Sequence, residues 1–511
     1  MKICTSEQYR ESLRNRNLNV YLMGEKVSEP QDHPIILPSV NAVAATYDLA
    51  EQEPELASAY SPFTGERVNR FLHVAQSRDD LVMQNKMQRR LGQMTGTCFQ
   101  RCVGMDAFNA LHSVTYDIDG EHDTVYHENL CAFITRAQRH GWVVSGAMTD
   151  VKGDRSKPPH QQADPDLYVR VVRRDEEGVY ISGAKAHQTG CINSHWMIVM
   201  PTARLGPKDR AYAISGAIPI DADGITYVYG RQSCDTRSLE ASDIDQGNAL
   251  FGGQEALVIF EEVFIPNERI FMDGEYAHAA VLVERFSCYH RRSYVCKSGV
   301  GDTLIGAAAR IAECNGVENS SHIRDKIVEM THLNETIYST GIAASYQAEK
   351  MDSGVYQCDD MIANVCKHHV TQMPYQIARL AQDLAGGFVT TLPSAMDLDH
   401  EELGPLLRKY LKGRADIDSE ERIRILRYIE NLTMGRNAVG YLTESLHGAG
   451  SPQAQRIQIA RQSQLGYKKR LATRLAGITD AASPADPKTE GGYMARVFSP
   501  ESLAEDFNED E

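Results

Sequence analysis

The stretch LYVRVVRRDEEGVYISGAKAHQTG, residues 167–190, interrupts a chain otherwise patterned for helices. Apolar side chains alternate from Leu167 to Arg173 and again from Val179 to Ala186, with Asp175 to Gly178 between them, which is the signature of a β-hairpin. HWMIVMPT (195–202), AYAISGAIPI (211–220) and ALVIFEEVFIP (256–266) continue the strand pattern until Pro266 closes it. Upstream, residues 5–138 are mainly helical in pattern, most clearly over Asp80 to Val114. Downstream, helical periodicity returns from about Ala277 to Leu475, as in DKIVEMTHLNETIYSTGIAASYQAEK. The order predicts an α+β, mostly helical protein: a helical domain over 1–145, a central β domain over 146–275 and a helical bundle over 276–481. Residues 482–511 are poor in core formers, end acidic, and are expected to form a flexible tail.

A chain of 511 residues exceeds one compact domain, and 42% hydrophobic with 24% charged residues is an ordinary globular composition. No run of 18 apolar residues could span a bilayer, so no membrane partner is expected. The first residues lack a secretory core; Thr5 and Gln8 read instead as a capping box, and a cytoplasmic location follows as the expectation. A net charge of −16 argues against nucleic acid as a partner, since counterion release needs clustered Lys and Arg. Eleven cysteines in such a chain are expected to stay as thiols, most of them buried.

Four constellations could carry chemistry. Cys98 and Cys102, four apart in a helical pattern, would share a helix face and could serve one metal or cluster, although the spacing alone fits two buried thiols better. SCYHRRSYVCKSG (287–299) carries Cys288, His290, Tyr294, Cys296 and Lys297; His290 and Tyr294 share a helical face, whereas aligning Cys296 with His290 requires a break in the helix. Cys98, Cys102, His290 and Cys296 together make a Cys3His set suited to zinc or an iron–sulfur cluster. GAMTDVKGDR (146–155) and AKAHQTGCINS (184–194) offer Thr149, Arg155, Gln188 and Thr189, with Lys152 and His187 alongside, as donors for a flavin; neither is a GxGxxG fingerprint. Glu255 in FGGQEALVIF and Glu444 in TESLHGAGSPQAQ are carboxylates in apolar or glycine-rich settings, where desolvation would make them useful acids or bases.

Taken together, these motifs, with DHPIILPSVNAVAATYDLA, TCFQRCVGMDAFNA, YGRQSCDTR, ERFSCYHRRSY and EMTHLNET, resemble the 4-hydroxyphenylacetate hydroxylase family, and within it the branch of 4-hydroxybutyryl-CoA dehydratases. The similarity runs from the first helix to about Ile478. It implies an acyl-CoA-dehydrogenase-like fold, a homotetramer, FAD, a 4Fe–4S cluster, and radical dehydration of 4-hydroxybutyryl-CoA to crotonyl-CoA with a vinylacetyl-CoA isomerase activity. Monooxygenases of the same family, acting on phenols with FAD, are the alternative, but they lack the ligands that stand here as Cys98, Cys102, His290 and Cys296. His290 would then be ligand and base, Tyr294 a donor to the leaving hydroxyl, Glu444 and Glu255 a proton relay, and Lys297 electrostatic support. His290 and Cys296 enclose five residues where the family pattern has six, which leaves Cys288 as the other candidate ligand.

Overall fold

The computed structural model describes residues 4–240 and 242–478; the tail expected over 482–511 lies outside the described residues. Along the chain come helices, then strands, then helices again, the arrangement expected of an acyl-CoA-dehydrogenase-like fold. The first helix, Ser6–Ser12, opens on the capping box: Thr5 Oγ1 accepts from the Gln8 amide at 3.2 Å and Gln8 Oε1 accepts from the Thr5 amide at 2.9 Å. Among the described residues no helix is long and apolar enough to cross a membrane.

The hairpin of residues 167–190 forms as Arg170–Arg174 against Gly178–Thr189, antiparallel, with Arg174 opposite Val179. Asp175 closes the turn: its amide donates to Gly178 O at 3.0 Å and its carboxylate accepts the Glu177 and Gly178 amides. The larger sheet orders its strands Glu25–Val27, Val20–Leu22, Ile225–Tyr229, Glu255–Pro266, Gly178–Thr189, Arg170–Arg174. A smaller sheet runs Ile270–Asp273, Ile214–Pro219, Trp196–Val199, Val144–Ala147. Ile181, Tyr227 and Val258 from the first and Met197, Val199 and Ile218 from the second share one apolar core. Pairing Gly178–Thr189 with Glu255–Pro266 sets Thr189 opposite Glu255 at the end of the sheet.

Three features correct the sequence-based picture. The N-terminal region is not purely helical: Val20–Leu22 joins the large sheet parallel to Ile225–Tyr229, and Ser58–Ser61 pairs with Glu66–Asn69. Strands of three or four residues are too short to show alternation. Asp80 to Val114 is two helices, Arg78–Thr95 and Cys102–Glu121. Gly96 ends the first in the left-handed region at φ 61°, and Gln100 at φ 64° turns the chain back, its buried amide held by Ser39 O at 3.0 Å and Gly252 O at 3.1 Å. Cys98 and Cys102 are therefore not on one helix face; Cys98 lies in the connecting loop and Cys102 begins the next helix. Finally, all eleven cysteines are free, as expected, but five are buried and six half-buried, so burial is less general than expected.

The bundle that follows packs Leu304, Ile311, Met330, Ile377, Leu426 and Ile429 into a separate core. Arg78–Thr95 crosses onto Cys296–Cys314 with almost no side chain between the backbones: a Cβ on Gly92 would stand 2.7 Å from Cys296 O, and one on Gly299 2.0 Å from Arg89 O. Only glycine permits that approach. Arg89 locks it with Asp302 at 2.9 Å, and the contact carries the Cys98–Cys102 loop toward Cys296.

Candidate active site

The stretch 287–299 is two helices, not one. Tyr276–Ser293 ends with Tyr294 as its cap, Val295 makes the joint, and Cys296 starts the helix Cys296–Cys314. This is the break that aligning Cys296 with His290 requires. Cys296 and Cys102 pack against the same small core of Met87, Leu91, Phe99 and Met105. Burial pushes the Cys102 thiol well up, with Cys296 and then Asp106 and Cys98 adding to it; burial and then Glu444 push up Cys98. Cys98, Cys102 and Cys296 thus lie near enough for each charge to act on the others. Cys288 does not: its sulfur lies 3.1 Å from Cys358 Sγ inside another core.

His290 is held from three sides. Its ring stacks on Phe286 with centroids 5.2 Å apart and meets Tyr294 edge-on at 5.3 Å. Its Nδ1 lies 2.8 Å from Asp106 Oδ2, a fully buried carboxylate that Ser293 Oγ also donates to at 3.1 Å. A carboxylate on Nδ1 leaves Nε2 with its lone pair, the arrangement common to histidines that bind metals. Gln88 Nε2 donates to Cys102 Sγ at 3.3 Å, while its Oε1 is buried with no partner. Three cysteines and a carboxylate-oriented imidazole are the residue types that an iron–sulfur cluster takes as ligands.

Beside this set lies an acid–base chain. Lys297 Nζ donates to Glu444 Oε2 at 2.9 Å and to Gly440 O at 2.6 Å. Gly440 belongs to a π-helical turn, Val439–Thr443, whose widened register brings Glu444 over Lys297. Glu444 and Glu255 share a hydrogen bond, and Thr189 Oγ1 donates to Glu255 at 2.6 Å. Burial, then Glu444, raises Glu255 well above the carboxylate range. Burial would raise Glu444 too, but Lys297 and the bond from Glu255 outweigh it and hold Glu444 low. Burial works against the Lys297 ammonium, yet Glu444 and then Cys296 and Cys98 keep it charged. The proton of the pair therefore resides on Glu255, with Glu444 ionised.

Tyr294 is buried beside this chain, its ring centroid 5.5 Å from Lys297 Nζ. A Cβ on Gly448 would fall 1.5 Å from its hydroxyl, so the phenol is seated on a bare glycine. Lys367 Nζ lies 4.2 Å from the ring centroid and donates to Ser445 O.

The six flavin candidates sit at the end of the large sheet and on the neighbouring loop. Lys185 and Asp150, both buried and 2.8 Å apart, pin that loop to the sheet. Thr149 O accepts the Ala186 amide at 2.9 Å. Burial and then Arg155 lower Lys152, with Asp150 acting the other way. His187 and Arg155 are exposed at φ 42° and on the loop rim respectively. Gln188 donates to Ala186 O within its own strand, and the Thr189 hydroxyl is drawn toward Glu255.

Three partners escaped the sequence reading: Asp106, Gln88 and Lys367. Asp106 left a signal, a lone charge in the apolar run GMDAFNALHSV. Gln88 and Lys367 left none, because polar residues on an amphipathic helix look alike whether they face solvent or a pocket.

The family models for 4-hydroxyphenylacetate 3-hydroxylase match this chain, the N-terminal one over residues 5–272 and the C-terminal one over 279–477. The 4-hydroxybutyryl-CoA dehydratase/vinylacetyl-CoA-Delta-isomerase of Clostridium aminobutyricum is 53% identical over 93% of this chain and 100% of its own. An oxygen-tolerant archaeal 4-hydroxybutyryl-CoA dehydratase structure from N. maritimus is 66% identical and superposes with a TM-score of 0.94, covering 98% of this chain and 99% of that one. The oxygenase component of 4-hydroxyphenylacetate 3-monooxygenase, complexed with FAD and 4-hydroxyphenylacetate, shares the fold at a TM-score of 0.80 with 23% identity, over 93% and 98% of the two chains.

Proposed function

The chain belongs to the 4-hydroxyphenylacetate 3-hydroxylase family, and from that premise we propose that it removes water from 4-hydroxybutyryl-CoA to give crotonyl-CoA, and also isomerises vinylacetyl-CoA to crotonyl-CoA. The observation that carries this is that Cys102 and Cys296 border one core, Asp106 orients His290 and acts on Cys102, and a Glu255–Glu444–Lys297 acid–base chain acts on Cys98 and Cys296. A phenol hydroxylase needs no such thiol set. The 53% identity to a dehydratase over its entire length supports the same assignment.

Cys98, Cys102, Cys296 and His290 would hold a 4Fe–4S cluster, and Thr149, Lys152, Arg155, His187, Gln188 and Thr189 would line the FAD. When bound, these groups would supply one-electron exchange and a Lewis-acidic iron for the departing hydroxyl.

The protein's own residues move the protons. The thioester carbonyl acidifies only C2 of the substrate, so a base is needed there first; His290, held through Nδ1 by Asp106, would serve with Nε2 when that nitrogen is not engaged as a ligand. Tyr294, pushed up by burial and therefore protonated, donates to the C4 hydroxyl as it leaves. Glu255 carries a proton to give and ionised Glu444 a place to receive one, with Lys297 holding that charge in position. Two protons leave the substrate, from C2 and C3, and two are supplied, one to the C4 hydroxyl, which departs as water, and one to C4, so no net electron leaves the substrate. Without hydroxyl loss, the same proton movements shift the double bond of vinylacetyl-CoA. A homotetramer in the cytoplasm accompanies this assignment on the strength of the resemblance.

Anaerobically purified protein should convert 4-hydroxybutyryl-CoA to crotonyl-CoA with no added electron acceptor, and should contain iron and acid-labile sulfide. Absence of both, together with phenol hydroxylation on supply of reduced FAD, would replace the assignment by the monooxygenase alternative.

A further inference from the structure

We propose that His112, His127 and Cys131 form a zinc site, separate from the acid–base pocket, where the helices Cys102–Glu121 and Tyr126–His140 meet. The ligand atoms of all three lie within 4.8 Å of one another. His127 and Cys131 are one turn apart on the same helix face, and His112 reaches them from the facing helix. Cys131 Sγ stands 3.6 Å from His127 Nε2. A tetrahedral ion with Zn–S of about 2.3 Å and Zn–N of about 2.0–2.1 Å requires a sulfur-to-nitrogen separation of about 3.6 Å.

The surroundings fix the tautomer that a metal needs. Thr115 Oγ1 spends its proton on Leu111 O at 2.8 Å, so at 3.0 Å from His127 Nδ1 it accepts, and the ring proton is on Nδ1. His127 Nε2 is then a lone pair aimed at Cys131. On the other ring, His112 Nδ1 is 3.3 Å from Ser353 Oγ, and the two imidazoles meet edge to face with centroids 4.7 Å apart. Each histidine thus has a hydroxyl oxygen within reach of Nδ1, the ring position at which ligating imidazoles carry their outer-shell partner. A bare thiol–imidazole hydrogen bond would account for Cys131 and His127 but leaves the approach of His112 without a role.

His112 is buried whereas His127 and Cys131 are half-buried, which gives an ion a route from solvent. Burial holds His112 at about 4 and His127 below its ordinary value, so both rings keep their lone pairs at neutral pH. Binding would displace one proton, from Cys131. With three protein ligands the fourth position is left to water. The ion would tie the helix that carries Cys102 and Asp106 to its neighbour and, through Ser353, to the turn between Glu349–Lys350 and Tyr356–Gln357.

The test is metal content of the full-length holoprotein, wild type against Cys131→Ala and His127→Gln, with iron measured in the same samples. The wild type should hold one more zinc per chain than either variant, at equal iron, and adding zinc after mild chelation should raise its Tm while leaving that of Cys131→Ala unchanged. Cobalt(II) in place of zinc should give a thiolate charge-transfer band that Cys131→Ala abolishes. Thr115→Val should weaken zinc binding about 10–100-fold. Equal zinc in wild type and both variants, or no zinc-dependent Tm shift in the wild type, overturns the proposal. Should Cys131→Ala fail to fold, His127→Gln gives the same comparison. The outcome does not depend on the reaction proposed above.

Discussion

Asp106 Oδ2 lies 2.8 Å from His290 Nδ1, joining two helices whose residues stand 184 positions apart. The carboxylate decides which ring nitrogen is available. Asp106→Asn keeps the shape but can present an N–H to Nδ1, releasing the ring from its orientation. Iron content and activity should each fall about 10–100-fold, as for outer-shell partners of metal-bound histidines. Unchanged iron with unchanged turnover would show that Asp106 is only a packing residue.

Cys98→Ala, Cys102→Ala and Cys296→Ala should each strip iron and activity, if these three thiols are the proposed ligands. Cys288→Ala should spare both, since its sulfur packs against Cys358 in another core. Loss of iron in Cys288→Ala alone would reverse the assignment.

Lys297 and Glu444 are a buried pair, 4% and 15% exposed. Lys297→Met leaves the carboxylate without its counter-ion, at a cost of about 3–5 kcal/mol in unfolding experiments. Glu255→Gln should fold normally, the amide standing in for a protonated acid, while kcat drops about 10²–10⁴-fold with KM little changed. A KM effect alone would make Glu255 a binding group.

Gly448 cannot carry a Cβ without meeting the Tyr294 hydroxyl at 1.5 Å. Gly448→Ala should cost about 1–3 kcal/mol and displace the phenol, with activity falling further than stability. In a Tyr294→Ala background the same substitution should cost less, leaving only the approach to Glu444 O at 2.9 Å; additivity of the two would rule out the phenol contact.

Burial and then Asp360 raise Glu284 from 4.5 to about 7. The folded state therefore holds a proton that the unfolded chain releases between those values, and stability from this group is present below about pH 4.5 and lost as pH rises to about 7. Glu284→Gln should match the wild type in thermal unfolding near pH 4.5 and exceed it at pH 8. A deficit at pH 8 would show that the ionised form is the stabilised one.

The hairpin over residues 167–190, the helical flanks and the capping box at Thr5 were written in the sequence, because alternation, 3.6-residue periodicity and turn chemistry are local. So were the residue types of the pocket and the need for a break between His290 and Cys296. Tertiary structure alone decided which of them meet. The glycine contact between Gly92 and Gly299, the Asp106–His290 bond and the Lys297–Glu444 pair join positions 147 to 207 apart, and no local pattern records a partner at that distance. It also decided that Gly96 ends one helix before Cys98 and that Gln100, left-handed and with buried amide bonds to Ser39 and Gly252, separates Cys98 from Cys102 against the helical periodicity of the surrounding residues.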